Sequence, residues 1–285
     1  MVLYERAPAK VNLSLDVLGK RDDGFHEVEM IMTAVDLADR VELYPLDGNR
    51  IEVSADNQYV PNDERNLAYK AAVAFKNKYR INKGVRIEIE KNIPVSAGLG
   101  GGSSDAAAVM RGLNRMWSVG ASLDELANIG AGIGSDVPFC IYSNTALGTG
   151  HGEKVHRLAP PPPCYIILAK PDIGITTRVI FQNVNTADLT HPKTEQVIQA
   201  MEEKNFEKLC SNIGNALESV TFSLYPEVQR LKEKMIQAGT TGVLMSGSGP
   251  TVVGLVEHLS KAKRIYNGLR GFCDEVYIVQ SIDRR

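Results

Sequence analysis

The residues with the clearest chemical potential lie in a glycine-dense segment between residues 93 and 108. This segment joins an alternating strand pattern at residues 85–90 to an amphipathic helix pattern, and its glycines are followed by two serines. Glycine lets a backbone approach an anion closely, and the first turn of a helix offers unpaired N–H groups and the positive end of its dipole. The segment therefore predicts a phosphate-binding loop.

This loop differs from two familiar phosphate loops. No Lys-Ser or Lys-Thr pair follows its last glycine, so it is not a Walker A sequence. Counting from Gly98, Gly100 fits the dinucleotide-binding pattern, but Ser103 stands where that pattern requires a third glycine. A branched side chain at Gly101 is expected to occupy the space that the phosphates need.

Three other segments carry polar residues next to strand or helix patterns. In residues 7–12, Lys10 and Asn12 share the polar face of an alternating strand. Residues 134–138 read Gly-Ser-Asp-Val-Pro and contain Asp136, and residues 246–251 read Ser-Gly-Ser-Gly-Pro-Thr. A tight turn or a helix cap also explains each segment taken singly, and for residues 246–249 alone the turn is favoured.

The elements that must position these residues are mixed strands and helices in both halves of the chain. Helices are predicted at 66–78, after the glycine-dense loop, and from Ser122, which forms a capping-box pattern with Glu125. Later helices are predicted at 194–203, 206–218, 226–238 and 260–269. Later strands are predicted at 165–168, 243–245, 251–256 and 276–279. This organisation predicts the α+β class.

Two local patterns refine this organisation. Four prolines at residues 160–163 can continue neither a helix nor a central strand, so we predict a domain boundary between residues 1–160 and 161–285. Residues 148–152 read Gly-Thr-Gly-His-Gly and predict a hairpin, because no helix pattern follows them. Four histidines are interpreted as solvated surface residues, namely His151, His156, His191 and His258. An apolar set at helical spacing is interpreted as core, namely Leu209, Ile213, Leu217 and Val220.

Composition narrows the class of protein. The 285 residues are 44% hydrophobic and 23% charged, which is typical of a globular protein with a sizeable core. A formal charge of −2 argues against a general nucleic-acid or membrane-surface binder. Four scattered cysteines predict reduced, mostly buried thiols, and no histidine or cysteine spacing indicates zinc. No apolar run has the length of a membrane span and no signal sequence is present, so we expect a soluble cytoplasmic protein.

Together, the order and spacing of the four polar segments resemble those of the GHMP kinases, a superfamily that includes galactokinase, homoserine, mevalonate and phosphomevalonate kinases. The resemblance covers essentially the whole chain. It implies the two-domain α+β fold of that family, with a ribosomal-S5-like N-terminal domain for ATP and catalysis. A ferredoxin-like C-terminal domain is expected to complete the substrate cleft.

The opening residues narrow the resemblance within the family. Residues 8–15 read Pro-Ala-Lys-Val-Asn-Leu-Ser-Leu and residues 19–28 read Gly-Lys-Arg-Asp-Asp-Gly-Phe-His-Glu-Val. These resemble members that act on a cytidylylated methylerythritol, a small molecule of isoprenoid precursor synthesis. The implied activity is transfer of the ATP γ-phosphoryl to the tertiary hydroxyl at carbon 2. Mg²⁺ is an implied cofactor with unassigned ligands, and a monomer or weak homodimer is expected, with no nucleic-acid or membrane partner.

The resemblance also implies residue roles. The catalytic pair is Lys10 and Asp136. The nucleotide-binding residues are Asn66, Lys91, Pro94, Val95, Ser96, Ala97, Gly98, Leu99, Gly100, Gly101, Gly102, Ser103 and Ser104. The substrate-binding residues are Asn12, Phe25, His26, Thr177 and Phe181, among which Phe25 and Phe181 stack on cytosine and His26 hydrogen-bonds to it. A structural ion pair is the competing interpretation of Lys10 and Asp136.

Two positions depart from the family pattern. Phe25 stands where Tyr is common, which keeps the aromatic face and loses a hydroxyl. Asp105 stands where some members carry Asn, and we interpret it as a helix cap rather than a metal ligand.

Two alternatives to this function remain open at this stage. A family member with another small alcohol substrate, such as mevalonate, would give Phe25, His26 and Phe181 no joint task. A non-catalytic nucleotide-binding protein of the same fold would not need both Lys10 and Asp136.

Overall fold

The computed structural model describes residues 2–282, and these residues divide into two compact units. The first unit takes the chain up to Ala9, together with Leu37–Val95 and Gly100–Ser143. The second takes Lys10–Asp36, Ser96–Leu99 and the chain from Asn144 onward. The units therefore interleave along the sequence. The boundary that the sequence predicts at residue 160 stays a prediction.

Runs of strands and runs of helices are mixed along the described residues, which confirms the α+β class. The strands are β1 (Leu3–Lys20), β2 (His26–Leu46), β3 (Ile51–Ala55), β4 (Gly84–Glu90), β5 (Thr145–Thr149), β6 (Lys154–Arg157), β7 (Tyr165–Lys170), β8 (Gly214–Asn215), β9 (Gly242–Met245), β10 (Val252–Val256) and β11 (Glu275–Val279). The helices are α1 (Leu67–Tyr79), α2 (Gly101–Met116), α3 (Leu123–Ala131), α4 (Val137–Tyr142), α5 (Thr177–Gln182), α6 (Thr194–Glu202), α7 (Phe206–Asn212), α8 (Glu218–Leu224), α9 (Pro226–Gln237) and α10 (Leu259–Arg270). A short 3₁₀ helix covers Thr186–Asp188.

The first unit contains α1–α4 together with β3, β4 and the part of β2 from Leu37 onward. In its sheet β3 pairs in parallel with β4, and β2 pairs with β4 in the antiparallel sense, so that Leu43 lies opposite Ile87. Both side chains are fully buried, as is Phe75 of α1. Helix α2 lies so close to the sheet that a Cβ at Gly112 would be 2.4 Å from a methyl carbon of Leu43. Close packing therefore holds α2, which follows the glycine-dense loop, against the sheet.

Side-chain caps begin two helices of this unit, and the capping box predicted for α3 is confirmed. Asn66 caps α1 by accepting the N–H of Ala68. Ser122 and Glu125 form the reciprocal capping box of α3, which ends at Gly132. These caps satisfy N–H groups that have no intrahelical acceptor.

The second unit contains a four-stranded antiparallel sheet with the order β11-β7-β10-β9. All five residues of β10 are buried, and α9 and α10 pack against this sheet. In the same unit β1 pairs in parallel with β8, and β2 pairs with β5. Strands β5 and β6 are antiparallel neighbours joined by residues 150–153, which confirms the predicted hairpin.

One predicted helix is wrong. Residues 206–218 do not form a single helix, because α7 ends at Asn212 and α8 begins at Glu218, with β8 between them. The Asn215 amide donates to the carbonyls of Met245 and Gly247, each at 2.7 Å, and accepts the N–H of Leu217 at 2.9 Å. These long-range bonds stabilise the break at Gly214–Asn215. The apolar spacing misleads because Leu209 and Leu217 are both buried although they belong to different segments.

The cysteines and the helix lengths bear on two smaller expectations. Within residues 2–282 all four cysteines are free, and Cys140 and Cys164 are buried. Every helix in the same residues falls short of the length and apolar character that a bilayer-spanning helix requires.

Candidate functional site

The glycine-dense loop, residues 94–104, links β4 to α2 by a backbone that turns sharply. Gly98 and Gly100 have left-handed φ angles of 73° and 68°, and so does Ser96 at 54°. Ala97 and Leu99 point into the protein and are almost fully buried, whereas Ser96 is exposed. The alternation of buried apolar side chains with left-handed residues keeps the loop backbone near the surface.

The end of the loop forms the N-terminus of α2. Gly100 is the N-cap, and the first intrahelical bond of this end runs from the Ser104 N–H to the Gly100 carbonyl at 2.9 Å. The N–H groups of residues 101–103 therefore have no acceptor within the helix. This geometry suits an anion, and it agrees with the predicted phosphate-binding loop.

Two positions in this helix turn, Ser104 and Gly101, lie against other parts of the protein. The Ser104 hydroxyl is buried and donates to the Pro8 carbonyl at 2.7 Å, so it ties the helix to β1. A Cβ at Gly101 would meet Ile93 at 3.3 Å and Lys91 Nζ at 3.4 Å. A Cβ at Gly101 would therefore be in tight contact with these two residues. The expectation that a branched side chain there would occupy the phosphate space stays a prediction.

Within the second unit, three remote segments converge on loop residues 96–99. The Lys10 N–H of β1 donates to the Leu99 carbonyl at 3.0 Å. The Ser246 hydroxyl donates to the Gly98 carbonyl at 3.2 Å and accepts the Asn12 N–H at 3.3 Å. A Cβ at Gly98 would lie 2.4 Å from the Ser246 carbonyl oxygen. The segment 246–251 thus contacts the loop, which the sequence alone did not favour.

The third converging segment precedes α5. The Ile175 N–H donates to the Ser96 carbonyl at 3.3 Å. Thr177, the first residue of α5, shares a hydrogen bond of 2.9 Å with the Ser248 hydroxyl. Thr177 therefore lies beside the Ser246–Gly249 turn.

The polar face of β1 is buried in this unit. Lys10 Nζ donates to Asn12 Oδ1 at 2.8 Å, and Asn12 Nδ2 lies 3.4 Å from the Met30 sulfur. Farther along the strand, the Asp16 carboxylate forms a 2.7 Å hydrogen bond with His191. His191 was predicted to be solvated, but its half-exposed ring has this carboxylate partner. The Lys10–Asn12 bond orients both groups toward the same side of the strand.

Two aromatic pairs form at the start of β2. Phe25 stacks on His151 with ring centroids 5.0 Å apart, and His26 lies against Phe181 at 5.2 Å. The interpretation of His151 as a solvated surface residue is therefore wrong. Phe25 is 54% exposed, so one of its faces is accessible to a ligand. Burial lowers the pKa of His26, and the charge of Lys20 lowers it further, which keeps this ring neutral at pH 7.

Asp136 lies in the first unit at the N-cap of α4, and its side chain makes no capping bond to that helix. The Gly134 position before it lies against α2, because a Cβ there would be 3.9 Å from Ser103 Oγ. Arg111 of α2 was not singled out in the sequence, yet its buried guanidinium donates to the carbonyls of Cys140 at 2.7 Å and Arg6 at 3.0 Å. Arg111 therefore fixes α4, and with it Asp136, relative to α2.

Asn66 and Lys91 also lie in the first unit. The Asn66 amide is used locally, because it caps α1 and donates to the Pro61 carbonyl at 2.8 Å. The residues just before it line an open groove of about 540 Å³ with β3 and Tyr69. The Lys91 side chain is buried between Asp39 and Asp105. The interpretation of Asp105 as a helix cap is wrong, because it lies in the second turn of α2 and bonds to Lys91.

No group of three or more His, Cys, Asp or Glu side chains in residues 2–282 is arranged to hold a metal ion. Asp39 and Asp105, the acidic pair that flanks the loop, are already bridged by Lys91. A divalent cation that depends on an all-protein cage does not fit this arrangement. One that takes most of its ligands from phosphate oxygens and water fits it better, and Mg²⁺ is such a cation.

Comparisons with known proteins agree with this geometry. Models of the GHMP kinase N-terminal and C-terminal domains match residues 66–144 and 186–275. The chain is 57% identical to 4-diphosphocytidyl-2-C-methyl-D-erythritol kinase of Bacillus velezensis over 99% of this chain and 98% of the relative. The protein of that name from Bacillus subtilis is 56% identical with the same coverage.

Solved structures show the same similarity. A crystal structure of 4-(cytidine 5'-diphospho)-2C-methyl-D-erythritol kinase superimposes with a TM-score of 0.82 at 32% identity, covering 98% of this chain and 99% of the other. Homoserine kinase from Cytophaga hutchinsonii shares the fold with a TM-score of 0.80 at 20% identity, covering 100% of this chain and 96% of the other. The chain belongs to the GHMP kinase family.

Proposed function

We propose that this chain is a kinase that uses ATP to phosphorylate the 2-hydroxyl of 4-diphosphocytidyl-2-C-methyl-D-erythritol in the non-mevalonate route to isoprenoid precursors. Relatives of that name, 55–57% identical over at least 99% of the chain, support the substrate. The observation that carries the proposal is the contact of His26 with Phe181, two residues that lie far apart in sequence. Two such rings beside a second aromatic pair suit a nucleobase, which a mevalonate or homoserine kinase would not need to bind.

The cytosine site is built from aromatic faces and one polar ring. Phe25 is the exposed stacking surface, and Phe181 is the second ring. Neutral His26 has one N–H donor and one acceptor nitrogen, so it can read the polar edge of a base. Asn12 and Thr177 extend the same site as substrate contacts, in keeping with their bonds to Lys10 and Ser248.

ATP binds at the loop, residues 94–104, in this proposal. The N–H groups of residues 101–103 and the α2 dipole hold the phosphates. The groove before Asn66 suits the nucleoside rather than the phosphates, because Glu52, Asp63 and Glu64 line it. The guanidinium of Arg65 and a backbone N–H lower the pKa of Asp63 to about 2, which keeps that carboxylate charged.

The reaction requires positioning and charge stabilisation more than covalent catalysis. Asp136 orients the substrate hydroxyl and accepts its proton late in the transfer, because a tertiary alcohol is too weak an acid to ionise beforehand. Lys10 neutralises negative charge as the bond to the leaving group breaks. Mg²⁺, when bound, would supply positive charge that offsets the negative charge of the phosphates.

The Gly98 position tests the loop. Gly98→Ala is expected to destabilise the protein and weaken ATP binding, because the left-handed conformation costs about 1–2 kcal/mol for a residue with a Cβ and this Cβ would also strike the Ser246 carbonyl. Gly120→Ala is the matched control, since Gly120 has a φ of 77° but no atom within 4 Å of its Cβ. Denaturant unfolding and calorimetric ATP titration measure both effects. Equal losses in the two variants would contradict the close approach at Gly98.

The experiment that tests the function is a coupled ADP-release assay. It compares 4-diphosphocytidyl-2-C-methyl-D-erythritol with mevalonate, homoserine and galactose under one set of conditions. Turnover with the cytidylylated substrate alone is expected. A preference for mevalonate would indicate another substrate class, and ATP binding without turnover on any alcohol would indicate a non-catalytic protein. The proposal also includes a cytoplasmic location and a monomeric or weakly homodimeric state. The domain boundary is proposed to lie near residue 160.

A further inference from the structure

A buried cluster of three charged residues lies beside the glycine-dense loop in the first unit. The Lys91 ammonium contacts the Asp39 carboxylate and lies 2.7 Å from the Asp105 carboxylate. The side chains are 4%, 0% and 3% exposed, respectively. This cluster comes from three separate elements: β2, the segment after β4, and α2.

The cluster connects the residues that flank the two ends of the loop. Asp39 Oδ1 accepts the N–H groups of Asn92 at 2.6 Å and Ile93 at 2.7 Å, just before the loop begins at Pro94. Asp105 follows Ser104, the last loop residue. The ammonium of Lys91 therefore bridges the entry and the exit of the loop through one atom.

The first residue of α2 also lies next to this ammonium. A Cβ at Gly101 would lie only 3.4 Å from Lys91 Nζ. Gly101 is the first residue of α2 and one of the three whose N–H groups have no intrahelical acceptor. Displacement of Lys91 would therefore move the backbone that is proposed to hold the phosphates.

The charges argue against direct binding of ATP by Lys91. The two carboxylates offset the positive potential of the ammonium, so it attracts a phosphate only weakly. The three groups together carry a net charge of −1 when all are ionised. Such a cluster would repel a triphosphate rather than attract it. The nucleotide-binding role that the resemblance implies for Lys91 thus requires a different physical basis.

We propose that Lys91, Asp39 and Asp105 form a clamp that holds the loop in its phosphate-binding geometry, with Lys91 as a positioning residue that does not touch the nucleotide. The inference deepens the proposed function and rests on the binding of ATP at this loop. In this clamp Asp39 fixes the entry, Asp105 fixes α2, and Lys91 joins them.

Asp105 gives the clamp a measurable pH dependence. Its Oδ1 atom is buried and has no hydrogen-bond partner among the described residues. Burial raises the pKa of Asp105 to about 7, the charge of Asp39 acts in the same direction, and Lys91 opposes both. Lys91 and Asp39 are the charged groups that face Asp105 from the neighbouring elements.

The sign of the effect follows from the charge of the ligand. Bound triphosphate favours the protonated, neutral form of Asp105, so ATP affinity decreases as the pH rises through about 7. Asp105→Asn keeps the shape of the side chain and cannot ionise, so this contribution is absent from that variant. Protonation of ATP itself affects its binding to the parent and to Asp105→Asn equally, so it does not contribute to the difference between their pH profiles.

The test is a double-mutant cycle of Lys91→Met and Asp105→Asn, with melting temperature and calorimetric Kd for ATP as its two readouts. Lys91→Met leaves two buried carboxylates without a cation, so it is expected to lower the melting temperature by about 5 °C or more and to weaken ATP binding about tenfold. Adding Asp105→Asn removes one of these charges and is expected to restore a large part of both losses. Between about pH 6 and about pH 8, ATP affinity is expected to decrease more in the parent than in Asp105→Asn, because only the parent has an ionisable group at this position.

Lys76→Met is the control for loss of a buried ammonium. Lys76 lies in the same unit and donates to the Asn49 carbonyl, with no carboxylate partner described. Its substitution is expected to lower the melting temperature and leave the Kd for ATP unchanged.

Two results would overturn the clamp. In the first, Lys91→Met weakens ATP binding while its melting temperature stays that of the parent, and the effects of Lys91→Met and Asp105→Asn on the Kd are additive. This result would mean that Lys91 contacts the nucleotide. In the second, the pH profiles of the parent and Asp105→Asn coincide. If Lys91→Met does not fold, the profile of Asp105→Asn still decides. If the cycle shows coupling in melting temperature but the parent protein binds no ATP, the result would refute the proposed function instead.

Discussion

Asp136→Asn is expected to reduce kcat by about 10²–10⁴-fold, because asparagine cannot accept the proton of the substrate hydroxyl. The Kd for ATP is expected to stay close to that of the parent, since the amide keeps the shape of the carboxylate. Asp136 makes no capping bond to α4, so the substitution removes no helix cap. Steady-state kinetics and calorimetry of the same preparation measure the two quantities.

Asp124→Asn is the matched control for Asp136. Asp124 lies in the first turn of α3 and accepts the hydroxyl of Tyr142, the last residue of α4. Its loss perturbs the other end of the same helix and is expected to change kcat by no more than about twofold. A rate for Asp136→Asn within a few-fold of the parent would rule out a proton-accepting role.

Phe25→Ala is expected to weaken binding of the cytidylylated substrate by about 1–3 kcal/mol, the scale of a base–aromatic stack. Phe25→Tyr keeps the ring and is expected to be tolerated. His26→Ala is expected to weaken binding and also to relax the preference for cytosine over uracil, because a positioned polar group reads the base edge. Calorimetry with the cytidylyl and uridylyl forms of the substrate measures both effects.

Phe272→Ala controls for the loss of an exposed aromatic ring. Phe272 is 49% exposed, close to the 54% of Phe25, and it packs against Lys234 rather than against a histidine. Substrate and ATP affinities are expected to be unchanged in this control. Equal loss of ATP and substrate binding in Phe25→Ala would indicate misfolding. Unchanged substrate binding would show that cytosine is not bound at this site.

His151 extends this prediction, because its ring packs on Phe25. His151→Ala is expected to weaken substrate binding less than Phe25→Ala does, since it removes the support of the stacking ring and not the ring itself. From the sequence, this histidine is interpreted as a solvated surface residue. Its contact with Phe25 joins positions 126 residues apart, so spacing within the hairpin carried no signal of it.

The sequence by itself determined the elements whose signals are local. The capping box at Ser122 and the strand–loop–helix order around residues 85–116 both follow from residues within a few positions of one another. Hydrophobic period and capping chemistry act over such short distances. The left-handed glycines of the loop belong to the same class, because Gly98 and Gly100 adopt conformations that residues with a Cβ disfavour.

Only the tertiary structure decided the contacts that bring remote segments together. Ser246 reaches Gly98 across 148 positions, Arg111 reaches Cys140 across 29, and Lys91 reaches Asp39 across 52. It also divided the predicted helix 206–218, because Asn215 bonds to Met245 and Gly247. Periodicity in a single sequence records which face of an element is buried, but the partner that buries it is set by packing between elements. For that reason the sequence favours a helix cap at Asp105, whereas in the folded chain its carboxylate accepts a hydrogen bond from Lys91.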